Sequence, residues 1–171
     1  MGSASKKEPR WLQIARAEIG TRETPGPGST PKIVSYFADA GRPEIKDDAV
    51  AWCAAALSSW LKRAGLPIPP PSEALAAISY ETWGDRLAQP VLGAIGVKRR
   101  PGDTWMRHTG IIVAANPIWI WMISGNASNR VGIDAFRREQ FTAFRHPAGV
   151  PISTLPLPGT AAGAKVPVSE A

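Results

Sequence analysis

From Trp11 the apolar positions Trp11, Leu12, Ile14, Ala15, Ala17 and Ile19 recur at three- and four-residue spacing, which predicts a first helix ending at Gly20. The stretch Thr24 to Pro31 carries Pro25, Gly26, Pro27, Gly28 and Pro31 and reads as loop. A short helix over about Lys32 to Ala40 follows, with Ile33, Val34, Tyr36 and Phe37 on one broad face and Gly41 closing it. Asp47 and Asp48 precede the run Ala49 to Ala64, whose Ala, Leu and Trp content gives the clearest helix, over Ala51 to Ala64. Gly65 and Pro67 stop it. After Pro69-Pro70-Pro71, Ser72 and the helix formers behind it predict a further short helix to about Ala77, and Trp83-Gly84 opens a loop.

The character then changes. Val91 to Val97, Thr109 to Ala115 and Ile118 to Ser124 are apolar or β-branched segments separated by Pro101-Gly102-Asp103 and Asn116-Pro117, which predicts strands in meander order. Val131 to Ala135 and Phe141 to Arg145 are candidate further strands. Helices first and a mostly antiparallel sheet afterwards make an α+β arrangement. At 171 residues the chain fits one domain: an arm over residues 1–9, a body over 10–147, and a tail over 148–171 whose Pro, Ala and Gly content predicts flexibility.

Composition narrows the picture less than pattern does. A hydrophobic share of 44% with seven Trp is globular, and no apolar run approaches the roughly 20 residues that span a bilayer. The net charge of +6 attracts polyanions in general. Against nucleic acid as the partner, there is no zinc-ligand spacing, basic heptad helix or RNA-binding aromatic signature. Arg99-Arg100 and Arg137-Arg138 are isolated pairs that read as solvated surface. The single cysteine excludes an intrachain disulfide, and no metal or cofactor is expected. The polar, basic N-terminus lacks the apolar stretch of a signal peptide, so work outside the cytoplasm would need another export route.

Candidate chemistry centres on Cys53. It lies near the start of the Ala51 to Ala64 helix, where unpaired N–H groups and the helix dipole favour a thiolate. A free thiol is only slightly ionised at neutral pH and needs a base, and the chain offers two histidines. His108 borders the strand Thr109 to Ala115, whereas His146 sits beside Pro147 at the start of the tail, so His108 is the better-held base. A base histidine is usually oriented by a third polar group, for which Asn126, Asn129 and Asn116 are all placed near strand ends. Each residue alone has a plainer explanation: a cysteine in an Ala-rich helix is most often a small buried hydrophobe, and Gly-Asn-Ala-Ser-Asn is ordinary turn chemistry.

The string Ala51-Trp52-Cys53-Ala54-Ala55-Ala56-Leu57 resembles the nucleophile motif of NlpC-like, papain-fold cysteine hydrolases of the small endolysin-like type. His108-Thr109-Gly110-Ile111-Ile112 is similar to that family's His-x-Gly strand motif, and Gly125-Asn126-Ala127-Ser128-Asn129-Arg130-Val131 to its Gly-Asn-x-x-Asn-x-Val motif. Glu23, Pro25-Gly26, Pro31, Ile33 and Tyr36 are similar to its N-terminal pattern, and Phe144-Arg145-His146-Pro147 resembles its closing strand. The resemblance covers about Trp11 to Pro147. Two departures bear on substrate contacts: Ala49-Val50-Ala51 stands where a Pro is expected before Trp52, and Ala127 where Gln is common.

The resemblance implies a papain-like, NlpC-type fold that cleaves an amide bond of peptidoglycan, as an endopeptidase or an amidase. Cys53 would be the nucleophile, His108 the general base and then acid, and Asn126 the group orienting His108. Trp52 and Asp48 are candidate substrate contacts, each with a structural alternative as core aromatic and helix-end charge. Trp83 and Trp105 are candidate groove residues on the same terms. The expected partner is peptidoglycan, with a phage lysis, secretion or immunity partner in addition, and the chain is expected to be a monomer. The competing reading from another class is a wall-binding or structural module of a virion or secretion apparatus that keeps the fold without turnover.

Overall fold

The computed structural model describes residues Lys6–Ala162. Three helices come first. α1 (Arg10–Ala17) buries Trp11, Leu12, Ile14 and Ala15, and Trp11 Nε1 donates to the Gly93 carbonyl at 2.7 Å, tying the helix to the sheet. It stops before the predicted end, where the Glu18 and Ile19 N–H groups bond the Ala15 and Arg16 carbonyls three residues back. Gly20 lies past the helix with φ 99°, and its N–H donates to the Val131 carbonyl at 2.9 Å, so it is a junction with the sheet rather than a cap. α2 (Pro31–Asp39) begins with a proline at its first turn, where a missing N–H costs nothing. α3 (Cys53–Arg63) has every residue from Cys53 to Leu61 buried, which explains its Ala-rich, all-round apolar composition.

The expected helix from Ser72 to Ala77 is absent. The Glu73 and Ala74 N–H groups both donate to the Pro70 carbonyl in a turn, and a 3₁₀ helix occupies Ala77–Glu81 instead. The Ala76 N–H bonds the Glu73 carbonyl three residues back, so the segment continues in tight turns rather than an α-helical ladder.

Six strands form one antiparallel open sheet: β1 (Asp85–Arg86), β2 (Ile95–Arg99), β3 (Arg107–Ala115), β4 (Trp119–Ala127), β5 (Arg130–Arg137) and β6 (Phe141–His146). Their order is β1-β6-β2-β3-β4-β5. The predicted meander holds from β2 to β5, while β6 returns to pair between β1 and β2. β2 begins four residues later than expected. Gly93 sits at φ 84° against Pro9, and the Ala94 N–H closes a turn on the Val91 carbonyl. β1 has two residues and no apolar alternation to betray it. The architecture is therefore α+β, with a few helices packed on a mostly antiparallel sheet.

The two faces of the sheet carry separate cores. Ile95, Val97, Ile111, Val113, Trp121, Ile123, Val131 and Ala135 pack with the three helices, and Ala94, Ile112, Ile120, Met122 and Phe136 form a smaller cluster on the other face. Leu157 touches both clusters, and residues 148–162 run along the sheet, with the Ala115 N–H donating to the Pro158 carbonyl at 2.9 Å. Leu155 and Leu157 anchor that segment despite its Pro-rich composition. Residues 1–5 of the arm and 163–171 of the tail lie outside the described residues. The outer strand β5 is partly covered too: the segment from Gly20 to Glu23 pairs with Val131 and Asn129 through backbone hydrogen bonds of 2.8 to 3.0 Å.

Glu18 fastens the helices to one another. Its carboxylate accepts from Tyr36 Oη at 2.6 Å and Trp60 Nε1 at 2.7 Å, and pairs with Lys32 at 2.7 Å and Arg63 at 2.6 Å. Burial works against its charge, but the bonds from Arg63, Lys32, Tyr36 and Trp60 outweigh it and hold the carboxyl at about 2. Because the unfolded chain takes up this proton first, the stabilisation is complete above the ordinary carboxyl range and is lost as pH falls toward about 2.

Two expected outcomes follow from this framework. Glu18→Gln lowers unfolding free energy by about 3 kcal/mol at neutral pH, since removing one partner strands the others in the interior; its urea midpoint also falls less steeply than the wild type's below pH ~4.5. Gly125→Ala forces a Cβ to 2.6 Å from Trp52 Cζ3 and 2.9 Å from the Ala56 Cβ. It should cost about 1–3 kcal/mol, measured by the same denaturation.

Candidate functional site

Cys53 is the first residue of α3, and Trp52 is its non-helical N-terminal flank, with φ −126° and ψ 12°. Trp52 is fully buried. It stacks on Tyr36 at 5.9 Å, donates from Nε1 to Glu23 at 2.7 Å and lies against Gly125, so the start of α3 is clamped between α2 and β4. Asp48 is 3% exposed, and its Oδ2 accepts the N–H groups of Thr24 (2.9 Å) and Thr30 (2.8 Å). Burial alone would raise its carboxyl, but these backbone bonds hold it below the usual range. Both side chains named as candidate substrate contacts thus point inward and hold the Pro-Gly loop against the start of α3. Trp83 donates to the Pro67 carbonyl and packs on Tyr80, whereas Trp105 is 79% exposed.

The thiol lines a pocket of about 120 Å³ together with Ala51, Ala77, Arg100, Trp105 and Met106. Its outer wall is the loop after β2, where Gly102 takes φ 76° and Asp103 Oδ1 accepts the N–H groups of Trp105 (2.7 Å) and Met106 (2.8 Å). Arg107 also lines the pocket, but its Nε pairs with Glu81 at 2.6 Å. Burial pushes the Cys53 thiol up from its ordinary value; the Arg100 charge and the Thr109 and Ala54 N–H groups act in the opposite direction without reversing it. A second, larger pocket of about 510 Å³ opens on the other side of the 47–52 loop, lined by Arg22, Glu23, Asp47, Ala49, Ser128 and Asn129 among others.

The expected strand begins at Thr109, with His108 bordering it; β3 in fact begins at Arg107, so His108 lies within the strand, and on the face opposite the helices. Its strand neighbours Gly110 and Ile112 belong to the smaller-cluster side, its ring packs on Phe136 at 5.4 Å, and its Nε2 is 2.8 Å from Ser124 Oγ. The structure does not bring Cys53 and His108 together. The partner of the imidazole is Ser124, two residues before Asn126. Asn126 sits at φ 61°, where the β4–β5 register shifts between Ser124 and Ala127. Asn129, also left-handed, gives its carbonyl to the Glu23 N–H, and Asn116 caps the turn before β4 through the N–H groups of Ile118 and Trp119.

His146 corrects a premise. It closes β6, is 3% exposed, and its Nε2 bonds the Val150 carbonyl at 2.9 Å while Trp11 meets its ring edge-on. It is core, not a mobile terminus. Sequence reasoning did not single out Ser124, and it dismissed Arg100 as solvated surface. The signal available for Arg100 was its place directly before Pro101-Gly102-Asp103, a turn that folds the chain back over the helix start. Among the described residues no group of His, Cys, Asp and Glu is arranged to hold a metal ion, and no helix is long and apolar enough to cross a membrane.

Burial, with the charges of Lys98 and Arg100, depresses His108 from 6.5 to about 3. The unfolded chain therefore binds this proton first as pH falls. The stability owed to the neutral imidazole is complete above 6.5 and is lost progressively toward 3. Between pH 6.5 and about 4.5 the wild type should lose about 2 kcal/mol through this residue. His108→Gln should flatten that slope in chemical denaturation, and an unchanged slope would show that the imidazole is not held neutral.

A scan of protein-family models and a search of curated proteins find no match to this chain.

Proposed function

We propose that the chain is a Cys53-dependent hydrolase of amide bonds in peptidoglycan, built on a papain-like, NlpC-type fold. The observation that carries this reading is the position of Cys53: the first residue of a helix laid on an antiparallel sheet, lining a pocket rimmed by exposed Trp105 and Met106. The motifs around Cys53, His108 and Asn126 support it, and the excess of basic residues suits an anionic wall. Its place of work would be the cell wall, reached through a phage lysis system, a secretion apparatus or a virion.

In this reading the Cys53 thiolate attacks an amide carbonyl, the backbone N–H at the start of α3 donates to the oxyanion, and the amine leaves protonated. Water then hydrolyses the thioester to a carboxylate and regenerates the thiol. His108 would serve as base and acid, oriented by Asn126. That role requires Arg107 and His108 at the start of β3 to peel away, so that the imidazole exchanges Ser124 for Cys53.

The arrangement of His108 favours one second reading. An imidazole bonded to Ser124 on the far face of the sheet, and a thiol shifted toward its protonated form, also suit a module that binds wall without turnover. Release of soluble fragments from purified peptidoglycan sacculi separates the two. A hydrolase loses at least about a hundredfold in rate in Cys53→Ala and in His108→Ala. Wild-type rates in both variants overturn the reading, and sedimentation with sacculi without any release supports the binding module. Mass spectrometry of the fragments identifies the bond cut.

A further inference from the structure

Resting on the reading that Cys53 carries the chemistry, we propose that Arg100 is the cation that pairs with the Cys53 thiolate. Three observations lead there. Arg100 and Cys53 line the same pocket of about 120 Å³, so the guanidinium charge lies close enough to the sulfur to favour its ionised form. The other arginine in that pocket, Arg107, is engaged by Glu81, which also accepts from Thr142 Oγ1 at 2.6 Å. The histidine expected in this role is on the opposite face of the sheet, bonded to Ser124.

The loop fixes Arg100 where it is. The Arg100 N–H donates to the Met106 carbonyl and the Arg100 carbonyl accepts from the Asp103 N–H, closing a tight turn against the pocket mouth. The charged and titratable groups that line the pocket or act on the thiol are Arg100 on this loop, Arg107 on β3 and Tyr80 on the 3₁₀ helix, with Asp103 bracing the loop and Glu81 holding Arg107. Asp103 spends its Oδ1 on the Trp105 and Met106 N–H groups, and burial drives Tyr80 toward its neutral form. Arg100 is thus placed to offset the burial that opposes ionisation. In the arrangement described, with His108 held by Ser124 on the far face, the proton lost from the thiol passes to solvent, and the sulfur lone pair becomes the nucleophile.

The pH dependence of Cys53 alkylation by iodoacetamide tests this on the full chain, where intact mass reads the single thiol. Arg100→Gln should raise the midpoint by about one pH unit or more and slow alkylation at neutral pH about tenfold. Arg100→Lys should restore most of the shift, and His108→Gln should leave the midpoint in place. Added salt should raise the wild-type midpoint and not that of Arg100→Gln. Thermal unfolding confirms that each variant is folded. An Arg100→Gln profile that superimposes on the wild type overturns the proposal. So does an equal shift in His108→Gln. Failure of the sacculus assay with an intact Arg100 shift removes the hydrolase reading alone, and the converse removes Arg100 alone.

Discussion

The site depends on how closely α3 can approach the sheet at its first turn. At Gly125 the indole of Trp52 and the methyl of Ala56 occupy the space any side chain would need. That contact holds the start of the helix over β4. Everything at the thiol follows from it: Cys53 comes next in the chain, so fixing Trp52 between Tyr36, Glu23 and the sheet fixes the sulfur's position to within a rotamer. Glu18 secures the same helix at its other end by bonding Trp60 and Arg63, and it recruits α2 through Lys32 and Tyr36. One helix is thus anchored twice, by exclusion of volume at one end and by charge at the other.

The electrostatics of the two faces of the sheet are opposed. On one face a buried imidazole is kept neutral, with Lys98 and Arg100 adding to the cost of its protonation. On the other a buried thiol is kept mostly protonated, with Arg100 working against that tendency. Arg100 therefore disfavours charge at His108 and favours it at Cys53.

Much of the fold was legible because its signals are local. The periodicity of Trp11 to Ala15, the Pro and Gly content of residues 25–31 and the apolar, β-branched runs of β3 to β5 are carried by neighbouring residues, and the elements formed there. The misses were non-local. β1 exists because Asp85 and Arg86 meet His146 and Arg145, and the place of β6 beside β2 is set by a chain reversal no short window contains. For the site, the helix start at Cys53 was readable from composition and the strand at His108 from its apolar run. Which face His108 takes was not, because a side chain at the first turn of a strand is assigned by register, and register here is fixed by pairing Lys98 with His108.

The segment from Gly20 to Glu23, which hydrogen-bonds the start of β5, also shields that edge of the sheet. An unpaired outer strand is a template on which another chain can add. Here the start of β5 is already paired by the protein's own backbone, through both the N–H and the carbonyl of Val131, and near its far end Arg137 stacks its guanidinium over Trp119 at 4.7 Å. Sheet extension through this edge would have to displace residues 20–23. The loop that braces Trp52 through Glu23 is continuous with that strap, so the same few residues that hold the thiol in place also keep the sheet from growing.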